Sequence, residues 1–241
     1  MWQNKIMNKY RIVVLTGAGM SAESGIKTFR DADGLWENHD IMEVASPEGW
    51  RKNKELVLKF YNDRRRQLFD VEPNAGHLAL VELEDKFDVY IITQNIDDLH
   101  ERAGSKKIMH LHGELRKSRS TFNPSHVYDC LNDINLGDKC EKGGQLRPHI
   151  VWFGEEVPLI SDAVEIISKS DIVLVIGSSM QVYPAAGLVS IAPKNIPVYY
   201  IDPRPQLNHE LKSRKNLKII AKTATIGVRE VIDEILLNFT T

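Results

Sequence analysis

The chain is expected to fold as an α/β protein: a doubly wound parallel sheet of Rossmann-like type that carries a small inserted subdomain. Three observations predict this. Short apolar runs recur along the chain, helical patterns fall between them, and the first run ends in a glycine-rich turn, Gly17-Ala18-Gly19. Parallel strands are covered on both faces and so read as continuous apolar runs, and their alternation with helices is the mark of a layered sandwich.

In order, the strand candidates are Arg11 to Thr16, Asp88 to Thr93, Ile108 to Leu111, Asp171 to Gly177, Ile196 to Ile201 and Leu217 to Ile220. Helical patterns occupy Lys54 to Phe69, Ala75 to Lys86, Ser161 to Ser168 and Thr225 to Leu237. From Lys117 to Gln145 the alternation breaks into a polar stretch holding both cysteines, read as the inserted module. The organisation expected is one catalytic domain over residues 1–241, with the insertion at about 117–145 and a helical part of the small lobe at about 27–70. Ligands of such sheets collect beyond the carboxyl ends of the strands, so the residues after each run are where chemistry is sought.

After the first strand, Gly17-Ala18-Gly19-Met20-Ser21-Ala22 fits the dinucleotide pattern of two glycines and a small third residue opening a helix. The pattern suits a pyrophosphate, and equally a tight turn without a ligand. A dehydrogenase would then show a second strand ending in Asp or Glu to hold the adenine ribose. Lys27 to Glu43 has no strand-like run and reads instead as a polar loop carrying Phe29, Arg30 and Trp36, a cover for the site. Beyond Thr93 stand Gln94, Asn95, Ile96, Asp97 and Asp98, amides and carboxylates suited to hydroxyls and carboxamides. The next strand ends in His110-Leu111-His112-Gly113; alternation puts both histidines on one face, with His112 nearer the mouth and His110 the structural one.

The composition excludes several classes. With 31 basic and 33 acidic residues the formal charge is −2, so no general positive field exists for nucleic acid, and none is expected as a partner. No apolar run approaches the roughly 20 residues of a membrane span and the amino terminus lacks a signal-peptide core, so no membrane association and a cytoplasmic location are expected. Cys130 and Cys140 alone make neither a disulfide framework nor a four-cysteine zinc site.

From Val14 to about Ala224 the chain resembles the sirtuins of bacterial type. The resemblance rests on Gly17 to Ile26 with Thr28-Phe29-Arg30 and Gly34-Leu35-Trp36, on Thr93-Gln94-Asn95-Ile96-Asp97 and His112-Gly113, on Leu146 to Glu155, and on Gly177-Ser178-Ser179. It implies an NAD-dependent protein-lysine deacylase, in which NAD is consumed as co-substrate, nicotinamide is released and the acyl group ends on ADP-ribose. The implied partners are acyl-lysine side chains of other proteins.

By the same resemblance, Gly17, Ala18, Gly19, Ala22, Phe29, Arg30, Trp36, Gln94, Asn95, Ile96, Asp97, Gly177, Ser178, Ser179, Asp202 and Ala224 form the NAD site. Asn95 is catalytic beside His112, whose imidazole, near its ordinary pKa, takes a proton from a ribose hydroxyl. Val151, Phe153 and Gly154 belong to a substrate strand to which an extended peptide adds. Asp202 stands where the family carries Asn, and a carboxylate can still accept from ribose hydroxyls.

Two departures from the pattern matter. The family holds a structural zinc with four cysteines; here Ser120 stands where one is expected, and His126, Cys130 and Cys140 supply at most three ligands, so zinc is expected to be absent, an irregular site being the alternative. In the helix after Lys54, Tyr61 and Arg64 share one face and resemble the pair with which the succinyl, malonyl and glutaryl subgroup binds an acyl carboxylate, while Arg65 and Arg66 are expected on a solvated face. The rival readings are a mono-ADP-ribosyltransferase or NAD glycohydrolase on the same fold, and a module that senses NAD without chemistry.

Overall fold

The structure is a computed structural model that describes residues 9–27, 35–36 and 39–239. Strand β1 (Arg11–Thr16) precedes the short pair β2 (Leu35–Trp36) and β3 (His39–Asp40), then helices α1 (Ile41–Val44), α2 (Pro47–Lys52), α3 (Lys54–Gln67) and α4 (Ala75–Leu83). Next come β4 (Asp88–Thr93), α5 (Leu99–Ala103), β5 (Ile108–His110), β6 (Gly113–Ser120), β7 (Val127–Asp129) and β8 (Leu146–Ile150). The series closes with α6 (Ile160–Ser168), β9 (Ile172–Ile176), α7 (Leu188–Ile191), β10 (Val198–Ile201), α8 (His209–Lys212), β11 (Leu217–Ile220) and α9 (Ala224–Phe239).

Six strands form a parallel sheet in the order β11-β10-β9-β1-β4-β5. Alternate residues serve its two faces. Ile12, Val14, Leu174 and Ile201 pack with Leu80 and Leu83 of α4 and Val228 to Ile235 of α9, whereas Val13, Leu15, Val173 and Val175 pack with Ala163 and Ile167 of α6 and Leu188 of α7. From β1 the chain runs outward through β4 and β5, then returns to β9 on β1's other side. That reversal opens a crevice at the carboxyl ends of β1 and β9, where open α/β sheets hold their ligands.

The insertion is more ordered than its polar sequence suggests. β6, β7 and β8 make an antiparallel sheet in the order β7-β6-β8, and Leu115, Ile134, Ile150 and Trp152 share a third apolar core with Val57, Leu58, Phe60 and Tyr61 of α3. The sequence hides these strands because one face meets water and the pairing is non-local. Arg65 corrects the expectation of a solvated arginine face. It is fully buried, and its guanidinium donates to Leu115 O and to Asn62 Oδ1 at 2.8 and 2.7 Å, tying α3 to β6. Asn62 in turn bonds the main chain of Ile134. Arg66 is exposed, as expected, and pairs with Asp63 and Asp133.

The glycine motif opens no α-helix. Two short 3-10 turns, Ala18–Met20 and Ala22–Ser24, follow β1 and end at Gly25, whose φ is 99°. Asn74 Nδ2 takes the Met20 carbonyl at 2.8 Å, and Ser21 turns its hydroxyl to Asp97 at 3.0 Å, so neither group serves a helix. The Lys27 to Glu43 stretch, expected as loop throughout, contributes β2, β3 and the start of α1.

Candidate active site

A cleft of about 410 Å³ lies over the carboxyl ends of the strands. The turn after β1 lines it with Gly17, Ala18, Gly19 and Ala22, and the segment after β4 with Gln94, Asn95, Ile96 and Asp97. The segment after β9 adds Gly177, Ser178 and Ser179, and the end of β10 adds Asp202. His112, Val151, Phe153, Gly154, Tyr61, Arg64 and Trp36 line it as well. Phe29 and Arg30 lie outside the described residues. Ala224 is not in the lining: it is buried in the sheet core at the start of α9, while its neighbour Thr223 faces the cleft.

The glycines are needed first for contact between two loops. A Cβ on Gly17 would stand 2.9 Å from Gly177 O, and one on Gly19 would stand 2.6 Å from Gly177 Cα. Gly177 itself has φ +59°, and a Cβ there would overlap Met20 N and Gly19 C. Only side-chain-free residues allow the β1 and β9 turns to interlock and still leave room above them. Gln94 Nε2 then donates to Ser178 Oγ at 3.2 Å, bridging across β1.

A polar chain orders the middle of the cleft. Asn95 Nδ2 donates to Ser21 Oγ at 3.1 Å, and Ser21 donates to Asp97 Oδ2 at 3.0 Å. Burial pushes the Asp97 carboxyl up to about 6, against the hydrogen bonds from Leu99 N–H and Ser21 that lower it. Beneath Asn95 lies His110, bonded to Asn95 O at 3.0 Å and to Glu101 Oε1 at 2.7 Å. Burial would lower His110, but the Glu101 bond and charge outweigh it and raise the imidazole above its usual range. His110 thus braces the Asn95 backbone from outside the cleft lining.

His112 differs. Its Nδ1 lies 3.2 Å from Gln94 O. A carbonyl only accepts, so Nδ1 carries the hydrogen and Nε2 carries the lone pair. Burial lowers this imidazole below its ordinary value, with the Gln94 bond opposing, which corrects the expectation of an unshifted histidine.

Val151 to Gly154 is not a strand. It follows β8 as irregular chain and turn, with Gly154 at φ 88°. The N–H groups of Val151, Trp152 and Phe153 are taken by His112 O, Glu155 Oε2 and Ala45 O. Trp36, assigned to the cofactor, lies on the α3 wall, with ring centroids 4.8 Å from Phe60 and 6.1 Å from Tyr61. Trp152, Glu155 and Arg204 also line the cleft and were not singled out. Trp152 and Glu155 lie in the Leu146 to Glu155 segment that carries the resemblance, but an apolar run does not tell which member faces a ligand.

In the inserted module, Ser120 Oγ stands 3.1 Å from Cys140 Sγ and accepts from Phe122 N and Asn123 N at 3.0 and 3.4 Å. Cys130 donates instead to Asn132 O at 3.3 Å. The described residues contain no cluster of three or more His, Cys, Asp or Glu with metal-binding geometry. A hydroxyl in place of a thiolate, turned toward backbone N–H groups, does not fit a four-cysteine zinc site.

The six-stranded parallel sheet, its reversal at β1 and the three-stranded module over the strand ends make this the sirtuin form of the Rossmann-like fold. The chain belongs to the Sir2 family, whose model matches residues 17–184. A relative from Helicobacter pylori (strain ATCC 700392 / 26695), named NAD-dependent protein deacylase, is 54% identical over 225 residues, covering 93% of this chain and 97% of its own. One of the same name from Bacteroides thetaiotaomicron is 52% identical, covering 91% of this chain and 95% of its own. A solved Sir2 homologue in complex with NAD superposes with a TM-score of 0.83 at 36% identity, covering 96% of this chain and 91% of that one. Among the described residues, no helix is long and apolar enough to cross a membrane.

Proposed function

We propose that the protein uses NAD to remove acyl groups from lysine side chains of other proteins, passing the acyl group to ADP-ribose, and that it favours acyl groups ending in a carboxylate. The coarser statement, NAD-dependent protein deacylase, is the name its relatives carry. The observation that carries the reading is His112, a cleft histidine whose bond to Gln94 O leaves Nε2 as a base.

NAD supplies the ribose carbon to which the acyl oxygen attaches as nicotinamide leaves. In this reading His112 Nε2 takes the proton of a ribose hydroxyl. Gln94, Asn95 and Asp97 orient the ribose and carboxamide, the interlocked Gly17, Gly19 and Gly177 turns leave room for the phosphates, and Asp202 accepts from the second ribose. The chain at Val151, Phe153 and Gly154 receives the peptide, and Tyr61 and Arg64 meet the far end of the acyl group. Release of nicotinamide only when an acylated peptide is present supports this. Equal release without peptide would favour an NAD glycohydrolase, and ADP-ribosylated protein as the product would favour a transferase.

The pH profile follows from two shifts. His112 must be neutral to act and its pKa lies below the ordinary 6.5, while Asp97 ionises at about 6. Activity is therefore expected to approach its plateau about one pH unit above the Asp97 value and to fall as the pH drops through it. A kcat/KM profile whose acid limb lies above pH 7 would contradict the assignment.

The inserted module is proposed to hold its shape without zinc. Its support is the Ser120 and Cys140 hydrogen-bond knuckle together with the β6, β7 and β8 pairing. A structural zinc contributes folding free energy outright, so a chelator unfolds proteins that depend on it. Here EDTA is expected to leave the melting temperature unchanged and purified protein to hold no stoichiometric zinc; elemental analysis and a thermal melt check both.

A further inference from the structure

Tyr61 is completely buried, yet it borders the cleft. Its phenol oxygen receives a hydrogen bond from Trp152 Nε1 at 3.1 Å. An indole N–H can only donate, so one lone pair of the phenol is occupied and the phenol's own proton must go elsewhere. Among the described residues no acceptor takes that proton; the rings of Phe60, Trp36 and Trp152 lie at centroid distances of 5.1, 6.1 and 6.5 Å, and the charges of Arg147 and Glu155 also act on the phenol. Burial pushes the Tyr61 hydroxyl above its ordinary range, so the proton stays on the oxygen. A buried donor without an acceptor costs free energy, and a ligand in the cleft that Tyr61 borders could supply one.

Trp152 is itself held from several directions. The Arg147 guanidinium lies over its ring at 3.1 Å from the centroid, and Trp50 packs 5.7 Å away. Its backbone N–H donates to Glu155 Oε2 at 2.8 Å. Glu155 is gripped by both Arg147, at 2.7 Å, and Arg119, at 2.9 Å. Turning the indole away from Tyr61 would give up its contacts with the Arg147 guanidinium and the Trp50 ring.

We propose that Trp152 is a specificity-determining positioning residue: its indole N–H occupies the acceptor side of the Tyr61 phenol and so fixes that hydroxyl as a donor to the terminal carboxylate of an acyl chain, beside Arg64. The inference rests on the acyl preference proposed above. A freely turning phenol would present a lone pair to the carboxylate part of the time; the fixed one does not. Trp152 acts through Tyr61 and touches no reacting atom.

The test compares succinyl-lysine and acetyl-lysine forms of one peptide. Trp152→Phe keeps a ring under Arg147 and removes the N–H. The succinyl to acetyl ratio of kcat/KM is expected to fall about tenfold, through KM for the succinyl peptide, as suits the loss of one oriented hydrogen bond. In a Tyr61→Phe background, which has no phenol to orient, Trp152→Phe should cause no further fall in the ratio. An unchanged ratio, an equal fall on both peptides, or additive losses in the double variant would overturn the proposal. If Trp152→Phe does not fold, replacing Trp152 by benzothienylalanine, which keeps the shape and lacks the N–H, gives the same reading. Arg64→Met separates the two levels of the argument. If it collapses the ratio while Trp152→Phe does not, only the role of Trp152 fails; if it leaves the ratio intact, the carboxylate preference fails and this inference with it.

Discussion

His112→Ala is expected to abolish deacylation while leaving NAD binding close to that of the parent. The imidazole is assigned the transfer of a proton through Nε2, and its other nitrogen is spent on Gln94 O. Removing a general base costs about two to four orders of magnitude in rate. Binding rests elsewhere in this account, on the β1 and β9 turns and on the Asn95, Ser21 and Asp97 chain. Steady-state kinetics with an acyl peptide, beside calorimetry with NAD, read the two quantities separately. A variant within tenfold of the parent rate would remove His112 from the chemistry.

The second large effect is expected at Arg64. It lies one turn beyond Tyr61 on α3, borders the cleft, and its guanidinium stands 4.7 Å over the Phe60 ring. Arg64→Met keeps most of the stem and deletes the charge, so a succinyl carboxylate would be desolvated without its partner. Breaking a buried charged pair from one side costs about 3–5 kcal/mol. Arg64 is only partly buried, and the lower end of that range applies, on the order of a hundredfold in kcat/KM for succinyl-lysine. Acetyl-lysine carries no carboxylate and should be far less affected. Parallel progress curves on the two peptides give the contrast, and an equal loss on both would mark a folding defect instead.

The fold is legible because the central strands β1, β9 and β10 are buried on both faces. Ile172 to Ile176 is fully buried at every position, and an unbroken apolar run is what such a strand must look like. The inserted sheet was not legible, since β6 reads Gly-Glu-Leu-Arg-Lys-Ser-Arg-Ser and owes its pairing to partners far along the chain. Arg65 misled for a related reason. Its burial depends on the Leu115 carbonyl arriving from β6, which nothing in the local Arg64-Arg65-Arg66 run announces.

Much of the cleft lining could be read from the residues that follow strands, because chain reversal at β1 gathers those ends in one place. What could not be read is what each group does there. The glycines proved to serve loop-to-loop contact before any ligand, and the lowered His112 depends on burial by segments from several parts of the chain. The Trp152 to Tyr61 bond joins residues 91 positions apart and has no local signal.

The central claim is that this cleft joins NAD chemistry to the recognition of an acidic acyl-lysine. The most direct measurement presents one lysine peptide in acetyl, succinyl and malonyl forms with NAD and follows the products by mass spectrometry. The account predicts free lysine peptide, nicotinamide and acylated ADP-ribose in equal amounts, formed faster from the succinyl and malonyl peptides than from the acetyl one. Turnover confined to acetyl-lysine would contradict the acyl preference, and nicotinamide release without any loss of acyl group would contradict the claim itself.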